Sequence, residues 1–131
     1  MTHERILITG DRNWTNKTII QRVLYSEVSL TTEYVIHGGA PGADTLGGEV
    51  ATGFGLVVRV FQAQWKRYGR AAGPIRNQQM LDEGKPTLVL AFHNNLAKSK
   101  GTRDMVSRAL KAKIPVYLNG KPLLSLPLQK K

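Results

Sequence analysis

Three glycines and a carboxylate crowd the segment His37-Gly38-Gly39-Ala40-Pro41-Gly42-Ala43-Asp44, directly after the apolar run Tyr34-Val35-Ile36. A strand that ends in glycines and passes into a helix leaves backbone N–H groups bare at the positive end of the helix dipole, where an anion docks. Phosphate binding is the chemistry expected there. It is not that of a nucleoside triphosphatase, because the turn lacks the Gly-Lys-Ser/Thr ending that brings a lysine to the terminal phosphate and a hydroxyl to magnesium. Nor is it the spaced glycine fingerprint of dinucleotide dehydrogenases, and the third apolar run ends in Val60-Phe61 with no acid for a ribose. A helix start that needs glycine only for tight packing is the competing reading.

Two further turns carry comparable chemistry. Gly10-Asp11-Arg12-Asn13 closes the first apolar run, and Ser99-Lys100-Gly101-Thr102 opens a helix much as Gly42-Ala43-Asp44 does. Arg12, Arg70, Arg76, Lys100 and Arg103 each sit beside a glycine or a turn signal. Arg76 falls near a helix start, where a cation opposes the dipole, so a ligand phosphate would give it a reason to be there; a surface position or a salt bridge is the alternative. Asp44 and Asp104 are the candidates for acid–base catalysis, although a carboxylate in a first helical turn also complements the dipole, and Asp44 could accept from a ribose hydroxyl. Trp65 and Tyr68 either stack on a base or plug the core beneath their loop, and Trp14 has the same two options. The three histidines show no metal-ligand spacing and cysteine is absent, so neither a metal nor another cofactor is expected.

The balance of 19 Lys plus Arg against 9 Asp plus Glu gives a formal charge of +10, which favours polyanions or phosphorylated small molecules as partners. Part of the excess, Lys121, Lys130 and Lys131, falls in what reads as a loose tail. A chain of 131 residues suffices for one compact domain that buries roughly two thirds of its unfolded surface without disulfides. No apolar run approaches the ~20 residues of a membrane span, and no leader pattern opens the chain, so a soluble cytoplasmic protein is expected.

The elements that must position these residues alternate. Residues 5–9, 34–37, 56–61, 87–92 and 116–118 read as short buried strands; helices are expected after Thr15 or Asn16, from Ala43 to Thr52, from Pro74 to Glu83 and after Gly101. Gln62 to Gly73 reads as a long polar loop. The pattern predicts an α/β, Rossmann-like three-layer fold with a mostly parallel sheet of about five strands. Residues 1–118 form a single domain in this reading, and 119–131 a basic tail containing Pro and Leu. If the first strand is central, the turns after strands one, two and four share one rim.

Four ordered blocks spanning nearly the whole chain are similar to the YspA branch of the SLOG superfamily, which includes the LOG enzymes and the DNA-processing protein DprA. They are residues 10–14, residues 37–44, the stretch from Trp65 through Gly69-Arg70 and Arg76-Asn77 to Met80, and residues 99–105. The resemblance implies a site for a nucleotide or nucleotide-derived molecule, and the residues expected to line it, from the turns above and from this likeness together, are Gly10, Asp11, Arg12, Gly38, Gly39, Ala40, Gly42, Asp44, Arg70, Arg76, Asn77, Ser99, Lys100, Gly101 and Thr102. LOG enzymes cleave a base from a nucleoside monophosphate using a Pro-Gly-Gly-x-Gly-Thr-x-x-Glu motif and an arginine on the preceding helix. Arg76 resembles that arginine and Gly101-Thr102 the glycine-threonine pair, but the glutamate position falls on Met105, which cannot handle a proton. Binding without turnover is therefore favoured, as in a sensor or sequestering protein. A LOG-type hydrolase and single-stranded nucleic-acid binding of the DprA kind are the alternatives, and self-association is expected because superfamily members commonly assemble.

Overall fold

Apolar residues in the first strand point alternately to two cores, which is what a strand covered on both faces requires. A computed structural model describes residues 3–126; Lys130 and Lys131 of the expected tail lie outside the described residues. In β1 (Glu4–Gly10), Ile6 and Ile8 join one buried cluster while Leu7 joins the other. Parallel neighbours follow on each side: β2 (Thr32–His37) and then β3 (Val57–Val60), and β4 (Leu88–Phe92) and then β5 (Val116–Leu118). The order is β3-β2-β1-β4-β5-β6, with β6 (Lys121–Leu123) antiparallel at the edge.

Helices close both faces. On one, α1 (Lys17–Glu27) contributes Ile20, Val23 and Leu24, and α2 (Ala43–Gly53) contributes Ala43, Val50 and Ala51, to a core that also buries Trp14 against Phe92. Trp14 is thus a packing residue, with its indole N–H donated to the Asn16 carbonyl at 2.9 Å. On the other face, α4 (Ala72–Gly84) and α5 (Gly101–Lys111) lay Met80, Met105, Val106 and Ala109 over Leu7, Ile36, Val89 and Ala91. Asn16 caps α1 through its side chain, accepting the Ile19 N–H at 3.2 Å, one of the two caps its sequence offered.

The sheet has six strands where five were expected, because Asn119 and Gly120 form a two-residue turn with φ of 51° and 88° that returns the chain as β6. Both residues in the left-handed region is the type I′ geometry that Asn-Gly favours. Pro122 sits on this edge strand, where its missing N–H costs no ladder bond. The expected long loop at 62–73 instead holds a single turn, α3 (Trp65–Tyr68), and a 3₁₀ turn at Gly69–Ala71 that runs straight into α4. Helix α4 therefore begins two residues before Pro74, which lies in the first turn where no N–H is needed. Helix α1 stops at Glu27, and by Thr32 the chain already pairs with β1.

Candidate functional site

In an open α/β sheet the crevice lies beyond the carboxyl ends of the strands where the strand order reverses. Here β2 and β3 lie on one side of β1 and β4 to β6 on the other, so the reversal falls between β1 and β4. The turns after β1, β2 and β4 share that rim, while α2 and α5 start on opposite faces of the sheet.

The first two turns are interlocked. Gly42 has φ of 78°, and a Cβ there would lie 2.4 Å from the Asp11 carbonyl oxygen, so only glycine lets the two loops touch. That same oxygen accepts the N–H groups of Trp14 and Ala43, each at 3.1 Å. Within the glycine turn, the amides of Gly38 and Ala40 donate to Asp44 Oδ2 at 3.1 and 3.3 Å, and the Gly39 amide donates to His37 Nδ1 at 2.9 Å. Three of the amides expected to face a phosphate are thus held by the chain itself, as amides in a tight turn demand an acceptor. Gly42, the N-cap of α2, has no side-chain cap.

Burial raises the Asp44 carboxyl to about 6, against the lowering effects of the Ala40 amide, the Arg76 charge and the Gly38 amide. Burial, helped by Arg76, lowers the His37 pKa and keeps its ring neutral, in keeping with Nδ1 as an acceptor. Arg76 feels burial as well, which lowers its pKa, while Asp44 raises it.

Arg76 is the hinge of a polar chain between the two helix-opening corners. Its Nη1 donates to the carbonyls of Gly38 and, at 3.4 Å, Phe61; its Nε donates to Asn77 Oδ1 at 3.1 Å. Asn77 passes the chain on, Nδ2 donating to Asp104 Oδ2 at 3.0 Å and to the Gly101 carbonyl at 3.4 Å. Arg108 Nε holds the same Asp104 oxygen at 2.8 Å, and its Nη1 donates to Gln78 Oε1. Carbonyl oxygens at the ends of β2 and β3 therefore give Arg76 a partner within the protein. Asp104 is held twice over, and Met105 is fully buried in the α5 core. At the second corner, Ser99 Oγ accepts the Thr102 N–H at 3.1 Å and Thr102 is buried, leaving Lys100 and Gly101 exposed.

Two open grooves of about 540 Å³ each flank the glycine turn and share Gly39 and Thr45. One runs past Trp14, Thr15, Pro41 and Gly42, the other past His37, Gly48, Val60 and Gln62. Arg12 is exposed at the rim, whereas Arg70 is exposed on the 3₁₀ turn before α4 and takes no part in the polar chain described above. Trp65 is 59% exposed and so does not plug the core; it stands beside the half-exposed Tyr68, over whose ring Arg67 stacks at 5.1 Å.

His93, unassigned from the sequence, belongs to the rim. It follows β4 as Asp11 follows β1, and its Nε2 lies 4.0 Å from Asp11 Oδ2. A polar residue immediately after each of two buried apolar runs was the available signal. Among the described residues no three His, Asp or Glu side chains gather as a metal site would require, and no helix is long and apolar enough to cross a membrane.

The gene 61 protein of Mycobacterium phage D29 is 37% identical over 119 residues, covering 86% of this chain and 93% of the phage protein. DNA processing protein A (DprA) from Streptococcus pneumoniae has the same fold over 88% of this chain, with a TM-score of 0.66 and 15% identity; the chain spans 50% of that protein's length. The family model for the YspA, cpYpsA-related SLOG family matches residues 4–68, from β1 through α3. By that match, and by its kinship with the phage protein, this chain belongs to the YspA, cpYpsA-related SLOG family.

Proposed function

We propose that this protein binds a nucleotide or nucleotide-derived phosphorylated small molecule at the carboxyl rim of its sheet, as a sensor or sequestering protein. The observation that carries the reading is the hydrogen-bonded chain Gly38–Arg76–Asn77–Gly101, which ties the two helix-opening corners to each other at the end of the sheet where such folds take ligands. Around it, Arg12, Lys100 and the uncapped start of α2 offer positive charge to phosphate. The residues assigned to the ligand are those of the three turns, Gly10 to Arg12, Gly38, Gly39, Ala40, Gly42 and Asp44, and Ser99 to Thr102, together with Arg76 and Asn77. Arg70, exposed on the 3₁₀ turn before α4, is assigned to the same ligand as a peripheral cation.

Binding without turnover is favoured because the position of the LOG carboxylate is Met105 in the core, and Asp104 is engaged by Asn77 and Arg108. Asp44 remains as the carboxylate for a hydrolase reading. Isothermal titration calorimetry against nucleoside mono- and diphosphates and ADP-ribose, with chromatography of the recovered ligand, tests both. Micromolar or tighter binding with intact ligand supports the proposal; released base or phosphate supports the hydrolase. Native mass spectrometry of the same samples reads self-association.

One observation favours nucleic acid as a second reading. Trp65 and Tyr68 are exposed beside Lys66, Arg67 and Arg70, a pairing of aromatic faces and cations suited to unpaired bases.

A further inference from the structure

We propose that Asp11 and His93 form a hydroxyl-recognition pair at the reversal point of the sheet, holding a ribose hydroxyl of the bound nucleotide. The inference rests on the nucleotide reading above and adds to it the sugar and the residues that select it.

His93 is held in one tautomer. Its Nδ1 accepts the Asn95 N–H at 2.9 Å, which leaves the proton of the neutral ring on Nε2. Asp11 is equally fixed: Oδ1 accepts the Asn13 N–H at 2.9 Å, and Oδ2 faces His93.

Nε2 and Oδ2 stand 4.0 Å apart, too far for a direct hydrogen bond. An oxygen about 2.8 Å from each would bridge them, accepting from Nε2–H and donating to the carboxylate. Only a group that both accepts and donates fits. A phosphate oxygen offers no proton and is repelled by Asp11, and an ammonium would meet a second donor in Nε2–H. A sugar hydroxyl satisfies both partners.

The backbone on either side is rigid, as selection requires. Asn119 brackets His93, accepting its N–H and donating to its carbonyl, each at 3.0 Å, while the Asp11 N–H donates to the Phe92 carbonyl at 2.8 Å. Side-chain exposures of 31% for Asp11 and 15% for His93 leave the pair reachable. Arg12, next in the chain and exposed, is the neighbouring cation available to the attached phosphate.

The test is calorimetric titration of the full chain with the four ribonucleoside 5′-monophosphates and their 2′,3′-dideoxy counterparts. The nucleotide that binds should lose about tenfold or more in affinity without its hydroxyls, the effect of one charge-assisted hydrogen bond. His93→Phe should bring ribonucleotide affinity down to the dideoxy level and leave dideoxy affinity alone; His93→Gln, which keeps an N–H donor, should retain part of the preference and serves if the phenylalanine variant does not fold. Equal affinity for ribo and dideoxy forms in the unmodified protein overturns the hydroxyl pair and leaves the nucleotide reading standing. Binding of none of these monophosphates overturns the hydroxyl pair, and failure of the diphosphates and ADP-ribose as well overturns both readings.

Discussion

The guanidinium of Arg76 occupies the space that any side chain on Gly38 would need. Nη1 donates to the Gly38 carbonyl, and a Cβ on Gly38 would lie 2.3 Å from that nitrogen. Glycine at this position is explained by the arginine rather than by backbone conformation, since Gly38 does not have positive φ.

Gly38→Ala should therefore act by expelling Arg76. Each of Gly38→Ala and Arg76→Ala should cost about 1–3 kcal/mol, the penalty for partners left unsatisfied. The double variant should cost much less than their sum, because the arginine has already gone in one background. Urea unfolding of the four proteins measures the coupling, and strict additivity would show that the two residues are independent.

Asp44 titrates near 6 in the folded protein against an ordinary 3.8, because burial disfavours its charge. The folded state holds that proton more tightly, so the contribution is full below 3.8 and is lost as the pH rises through about 6. Asp44→Asn should gain on the unmodified protein across that window by on the order of 3 kcal/mol, with an amide oxygen in place of Oδ2. Asp44→Ala strands the amides of Gly38 and Ala40 and should be about 1–3 kcal/mol less stable than Asp44→Asn. His37, its pKa lowered chiefly by burial, acts in the opposite sense, its contribution fading as the pH falls below 6.5. The difference between the unmodified protein and Asp44→Asn, from urea unfolding at several pH values, isolates Asp44; a difference that does not change with pH contradicts the assignment.

Asn119 serves the β5–β6 turn and the rim together. It holds φ of 51° and bonds both backbone groups of His93. Asn119→Ala should lose about 1–3 kcal/mol of stability. Asn119→Gly, which keeps the turn but not the bonds, should recover part of that. Equal stability of the alanine variant and the unmodified protein in thermal or urea unfolding would refute the double role.

Salt separates the two kinds of ligand. A site for one nucleotide should weaken only modestly with ionic strength, whereas a single strand lying along Lys66, Arg67 and Arg70 would release several counterions. Fluorescence anisotropy of a labelled oligonucleotide between 50 and 200 mM salt gives the slope, about −0.7 for each phosphate contacted. Trp65→Ala should weaken oligonucleotide binding by about 1–3 kcal/mol and leave nucleotide binding unchanged; the nucleic-acid reading fails if oligonucleotide affinity is the same after that change.

The fold was legible because buried parallel strands write themselves as apolar runs such as Ile6-Leu7-Ile8 and Val89-Leu90-Ala91, punctuated by glycine and proline. β6 escaped notice because its three residues include a proline, although Asn119-Gly120 carries a turn signal. The three turns of the rim were readable from glycines at helix starts. What those glycines do was not: Asp44 turns back onto the amides of Gly38 and Ala40 within its own turn, and Arg76 reaches Gly38 across 38 positions, a long-range choice made by packing. His93 was missed because its partner Asp11 follows a strand adjacent in space and remote in sequence. Trp65, whose type leans toward the core, is instead exposed, on a single-turn α3 with no buried residue.

The most direct measurement is a ¹⁵N–¹H NMR titration of the full chain with the ribonucleotide that calorimetry identifies. Saturable shifts concentrated at Gly10–Asn13, Gly38–Asp44, Asn77 and Ser99–Asp104, with little change along β5 and β6, are the expected result. Shifts confined to α3 or scattered over the basic surface, or no shifts at millimolar nucleotide, would contradict a ligand site at the carboxyl rim.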